Sequence, residues 1–148
     1  MSDLPEQQTA DFAALKARAP AGWTLFTAPE SFTAASGPYF FREGDEPGTA
    51  FFAEKRHQNL AGIVHGGALA TLADMALWNI CRRSIGPFRG VTVTLNTEFL
   101  APGQIGDFII ATGETTKVGG GLVFARGLIT AEDRTLMSFS GALKRLRD

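Results

Sequence analysis

The sequence predicts an α+β domain: one long buried helix wrapped by a curved antiparallel β-sheet of five to six strands, preceded by a short helix. Three observations point there. Residues 66–83 (GGALATLADMALWNICRR) set Ala68, Leu69, Leu72, Met75, Leu77 and Ile80 on every side of a helical cylinder, and a helix apolar all round is expected to be buried all round. From residue 90 the period changes to that of strands, with GVTVTLNTEFL, FIIATGETTKV, LVFARGLITA and TLMSFSGALKRL joined by short turns, the pattern of an antiparallel sheet. Only one such helix stands against about six strands, so the sheet has to curl around it.

The elements follow in order. QQTADFAALKARAP (residues 7–20) reads as a short helix, with Thr9 or Asp11 to cap it, Phe12 and Leu15 three apart, and Pro20 and Gly22 to end it. Residues 23–41 show no clear period before GPYFFREGD, which reads as a strand running into a turn. GDEPG supplies turn chemistry, and GTAFFAEKRHQ a second strand built on Phe51 and Phe52. In the long helix Arg82 and Arg83 fall in the last turn, where positive charge suits the macrodipole, and Gly86-Pro87 stops it. In the next strand Val91, Val93, Leu95 and Phe99 share one face; Thr92, Thr94, Asn96 and Glu98 share the other. Gly119 to Gly121 form a hairpin turn or a bulge. Residues 1–35 are read as a helix and lead-in, and residues 36–148 as a single domain.

Composition narrows the class. In 148 residues, 45% hydrophobic and 20% charged with a net charge of −1, nothing favours nucleic acid or a membrane surface. Lys144, Arg145 and Arg147 cluster at the end, and a solvated strand end accounts for them. One cysteine, Cys81, excludes an internal disulfide and reads as a small buried hydrophobe. Two histidines and one cysteine are too few for a structural zinc site, so no metal is expected. No apolar run reaches about twenty residues, and MSDLPEQQTADF has early acids and no apolar core of a secretory signal. A cytoplasmic protein is expected.

Chemistry concentrates in the stretch from His57 to Ile80. Asp74 interrupts an apolar helix, and a buried carboxylate is costly unless paired or neutralised. Either its side of the helix faces water, or it lines a cavity as a base or nucleophile; Ala70, Ala73, Met75, Leu77 and Trp78 around it favour the second. His65-Gly66-Gly67 leads into the same helix. Free N–H groups and a positive dipole end lie there, and Gly66 and Gly67 let a substrate oxygen come close, as in an oxyanion hole; a tight turn before the helix is the simpler alternative. Asp74 stands roughly 13 Å along the helix from its start, at about 1.5 Å per residue. One small carbonyl cannot touch both ends, so either they serve different purposes or two antiparallel copies of the helix lie side by side in a two-fold dimer. His57 reads as a polar loop entry.

Asn59, Gly62, His65-Gly66-Gly67 and Leu72-Ala73-Asp74, followed by GVTVTLNTEFLAPG, resemble hotdog-fold acyl-CoA thioesterases of the phenylacetate-pathway, PaaI-like type. The resemblance runs from about Phe51 to Leu146. It implies hydrolysis of an acyl-CoA thioester without metal or redox cofactor, in a homodimer or a homotetramer of paired dimers with a sheet continuous across each dimer. It assigns Asp74 as general base or nucleophile and the Gly66 N–H as the donor to the thioester oxygen. His65 and Asn59 would orient the loop or contact thioester and water. Thr92 would hold water, although an ordinary strand threonine fits the same position. The site would take His65, Gly66 and Asn59 from one chain and Asp74 and Thr92 from the other. The CoA nucleotide would lie near Gly120, where relatives often carry a basic residue, with Arg126, Lys144 or Arg145 as phosphate contacts here.

Two other readings use the same residues. A hotdog hydratase or dehydratase needs a His with an acid across a carbon pair, and a binding protein would hold acyl-CoA without turnover. The acyl group is not legible: Phe12, Trp23, Phe26, Phe40, Phe41, Phe51, Phe52, Trp78 and Phe88 suit an aromatic-acyl pocket or the core, and core packing explains most of them. The first helix is a candidate cap for an acyl tunnel.

Overall fold

The computed structural model describes residues 6–147, with side chains described from residue 11 onward. The chain runs α1 (Glu6–Arg18), β1 (Thr24–Phe26), α2 (Phe32–Ser36), β2 (Tyr39–Arg42), β3 (Gly48–Phe52), α3 (Gly66–Ile85), β4 (Gly90–Phe99), β5 (Phe108–Val118), β6 (Leu122–Ala131) and β7 (Arg134–Arg145). All seven strands form one antiparallel sheet in the order β1-β2-β3-β5-β6-β7-β4. The sheet has more than the five to six strands expected. The addition is β1, whose three residues are too few to show a period.

Glycines allow the curl. Gly113 and Gly127 are cross-strand partners, and Gly141 follows on β7. A Cβ at Gly113 would come within 2.8 Å of Ile80 Cδ1, and one at Gly141 within 2.8 Å of Leu77 Cδ2. Helix and sheet therefore meet at a distance only a missing side chain permits. Around this contact Leu69, Leu72, Ala73 and Ala76 of α3 pack on Ile109, Ile129, Leu136 and Met137.

A second apolar cluster lies on the other face of the sheet. Leu15 of α1 and Trp23 pack there with Phe40, Phe52 and Phe108. Phe40 and Phe52 alternate with Tyr39 and Phe51, which face α3. Leu15 thus docks α1 on the face away from the long helix, not over it.

The α3 helix is not buried all round, contrary to expectation. Asp74 and Gly67 are exposed, and Thr71, Met75, Trp78 and Arg82 are half-buried. These positions fall on one stripe at helical spacing. The stripe is bordered by β4, where Thr92 bonds Asp74, and by α2, where Thr33 meets Met75. A sheet curled round one side of a helix leaves the opposite side open.

Candidate active site

The approach to α3 is a tightly bonded loop. Residues 55–57 make one 3-10 turn. The Glu54 N–H donates to His57 Nδ1 at 2.9 Å, so Nε2 carries the proton and donates to the Ser36 carbonyl at 2.7 Å. Burial holds the His57 pKa below its ordinary 6.5, against the opposing effect of the Ser36 bond. The sequence left His57 as a loop entry; here it is a buried neutral strut. Its own carbonyl accepts the His65 N–H at 2.7 Å.

Asn59 shapes the next turn. Its Oδ1 accepts from the Ala61 N–H at 2.9 Å and the Ile63 N–H at 3.3 Å, and its carbonyl accepts from the Gly62 N–H at 3.0 Å. Gly62 sits at φ +79°, which glycine adopts without strain. Within the chain Asn59 therefore orients the loop through its oxygen.

His65 is the N-cap of α3. Its Nδ1 accepts the Gly67 N–H at 2.8 Å, and its carbonyl accepts the Ala68 N–H at 2.9 Å. The Gly67 donor is thus occupied. The Gly66 N–H makes no hydrogen bond among the described residues, and it stands at the positive end of a 20-residue helix. A Cβ at Gly66 would lie 3.0 Å from Phe99 Cε1, so the Phe99 ring packs beside Gly66 at the helix start. Sequence reading did not single out Phe99; its place on the same strand face as Leu95 was the available signal.

Asp74 accepts a 2.7 Å hydrogen bond from the Thr92 hydroxyl. The sequence put Thr92 on the outer strand face with Thr94 and Asn96. A β-bulge corrects this: Thr92 pairs with Leu143 and Thr94 with Ala142, leaving Val93 extra. Leu143 belongs to the buried face, so its partner Thr92 points inward to α3. Asp74 itself is exposed in the single chain, not set in an apolar wall as the residues around it suggested.

The remaining candidates lie elsewhere. Gly120 is exposed in the β5–β6 turn, which Arg145 braces by donating to the Gly119 carbonyl at 3.1 Å. Arg126 lies on the outer face of β6, bonded to Glu114 at 3.1 and 2.9 Å, in a cleft of about 880 Å³ that Asn96, Ser138 and Ser140 also line. Neither is brought to Asp74. Cys81 is buried, and burial pushes its thiol up to about 11, as suits a packing residue. Among the described residues no group of three His, Cys, Asp or Glu is placed to hold a metal, and no helix is long and apolar enough to cross a membrane.

Two groups therefore stand on one helix: the Asn59–Gly66 loop at its start, and the Asp74–Thr92 pair about 13 Å along its axis. Donors for an oxyanion and a carboxylate with a bonded hydroxyl are the components of acyl hydrolysis.

Comparison with known proteins agrees with this chemistry. A model of the thioesterase superfamily matches residues 61–138. A Pseudomonas aeruginosa protein named "Putative esterase PA0474" is 32% identical over 108 residues, covering 71% of this chain and 81% of that protein. Acyl-coenzyme A thioesterase 13 of Mus musculus is 40% identical over 76 residues, 49% of this chain and 51% of its own, so the match spans about half of that relative. Two solved structures share the fold. A Bacillus halodurans protein with CoA superposes with a TM-score of 0.75 at 20% identity, over 97% of this chain and 91% of its own. The E. coli PaaI protein from the phenylacetic acid degradation operon does so at 0.69 and 20%, over 98% and 97%. From the family model and the esterase relative together, the chain belongs to the thioesterase superfamily, with the hotdog fold of its PaaI-like members.

Proposed function

We propose that the protein hydrolyses acyl-CoA thioesters at sites built by two copies of the chain, each site combining Gly66, His65 and Asn59 of one copy with Asp74 and Thr92 of the other. The observation that carries the reading is the separation, on one helix, of an unbonded Gly66 N–H from a carboxylate on the open stripe. A two-fold axis that sets two α3 helices antiparallel brings the start of each beside the middle of the other. The β4 strand supports such pairing. It is a ten-residue sheet edge with Val91, Val93 and Phe99 exposed, and a long apolar edge is a template for another strand. Two copies of β4 paired across the axis would make one continuous sheet, and two such dimers would make a tetramer.

In the reaction the Gly66 N–H donates to the thioester oxygen as negative charge develops on it. Asp74 either removes a proton from water, which attacks the carbonyl, or attacks it directly and is freed by water. Thr92 holds one Asp74 oxygen and leaves the other for this work. The C–S bond breaks and CoA leaves as a thiol, with no cofactor beyond the CoA of the substrate. His65 favours this reading over hydration: with Nδ1 occupied by Gly67, its imidazole presents a donor, not the base a hydratase needs.

Thiol release from a panel of straight-chain and aromatic acyl-CoAs tests the proposal. Asp74→Ala should lose about a hundredfold or more in kcat while remaining folded and oligomeric. Binding of acyl-CoA without any thiol release by the wild type would refute it.

A further inference from the structure

The short helix α2 is fastened in an uncommon way. None of its five residues is buried, so apolar packing does not hold it. Polar ties do. Ser31 caps it by accepting the Ala34 N–H at 3.2 Å. Arg56 donates to the Ala35 carbonyl at 2.6 Å, and His57 to the Ser36 carbonyl at 2.7 Å. The Tyr39 hydroxyl donates to Ser36 Oγ at 2.9 Å. The Thr33 hydroxyl reaches Met75 Sδ at 3.8 Å.

These ties lead to two places, both in the proposed site. Arg56 and His57 belong to the segment that holds the His65 N–H. Met75 follows Asp74 and borders the open stripe of α3 on the side away from β4. Behind α2 the structure leaves a cavity of about 200 Å³ lined in part by Phe12, Ala34 and Pro38. A helix hung on hydrogen bonds, with space behind it, carries in Phe32, 71% exposed and next to Thr33, an apolar side chain that the chain itself leaves uncovered.

We infer that α2 is the specificity wall for the acyl group, with Phe32 as its contact residue and an extended apolar acyl chain as its occupant. The inference rests on the thioesterase reading. An acyl chain whose carbonyl is held at Asp74 reaches α2 by running past Met75, between α3 and the antiparallel α3 of the second copy. A helix with side chains is about 10–12 Å across. Acetyl is far too short to cover that width. Octanoyl, with bonds of about 1.5 Å and an extended length on the order of 9 Å, spans most of it.

The test compares kcat/KM for acetyl-CoA and octanoyl-CoA in wild type, Phe32→Ala and Phe32→Leu, with oligomeric state measured alongside. Phe32 buries little in the chain, so both variants should fold. In Phe32→Ala the octanoyl-to-acetyl ratio should fall about tenfold or more, the scale of a lost apolar contact in a pocket, mainly through KM. Phe32→Leu should restore most of it. An unchanged ratio, or an altered oligomeric state without a change in ratio, overturns the inference while the thioesterase reading stands. No thiol release from either substrate by the wild type overturns the inference; only the absence of release from the aromatic acyl-CoAs as well defeats the thioesterase reading.

Discussion

Replacing Gly66 by proline removes one hydrogen-bond donor and little else. Gly66 is the first residue of α3, a position where proline is favoured because no helical bond uses its N–H. His65, at φ −62° and ψ 134°, already has the extended conformation a following proline requires. The added Cβ meets Phe99 at 3.0 Å, and Phe99 is 59% exposed, so its ring can give way. Losing one oxyanion donor costs about a hundredfold to a thousandfold in kcat, about 2.7–4 kcal/mol. The thermal midpoint should stay near that of the wild type. Gly66→Pro also makes the two-chain site countable. Equal amounts of Gly66→Pro and Asp74→Ala chains, unfolded and refolded together, should give about half mixed dimers. In each mixed dimer one site joins an intact Gly66 to an intact Asp74 and the other site lacks both. The mixture should recover about a quarter of wild-type activity, read as thiol release per chain. Activity no greater than the sum of the two parent variants would refute the composite site.

Further expectations concern the residues around this pair. Thr92→Val removes the bond to Asp74 Oδ1 and keeps the shape of the side chain. It should lower kcat roughly tenfold, from the loss of a charge-assisted bond of about 1.5 kcal/mol; equal kcat in both proteins would show that the hydroxyl does not orient Asp74. The pH dependence of stability should carry a His57 component. With its folded pKa below 6.5, the unfolded chain takes up the proton first. Stability from this group is therefore full above about 6.5 and is lost as pH falls through the lower folded value. Thermal melts of wild type and His57→Gln between neutral and mildly acidic pH should diverge, the wild type losing more on acidification. Parallel curves would contradict the neutral strut.

Where a signal repeated over many residues, the sequence was informative. α3 was placed within two residues of its observed end because twenty residues of helical text have an unambiguous stop at Gly86. The strands β4 to β7 run for ten to twelve residues each, and short turns join β5 to β6 and β6 to β7. By contrast β1, with three residues, and α2, with five and no buried face, carry no period to read. Thr92 shows a different limit. Alternation assigns faces only while the ladder is regular, and the single extra residue at Val93 reverses every assignment before it. The exposure of Asp74 was misjudged for a third reason. Its apolar neighbours were identified, but the sequence does not say which of them one chain can cover by itself.

The bulge at Val93 also bears on how this chain tolerates change in length. Losing one residue from the middle of a strand ordinarily turns everything on one side of the gap inside out. In β4 the pairing of Thr92 with Leu143 and of Thr94 with Ala142 already skips Val93. A chain lacking Val93 would keep both pairings, with Thr92 inward and Thr94 outward on an uninterrupted ladder. A deletion at Val91 or Leu95 has no such exemption. One codon of β4 is thus dispensable to the phase of the strand while its neighbours are not.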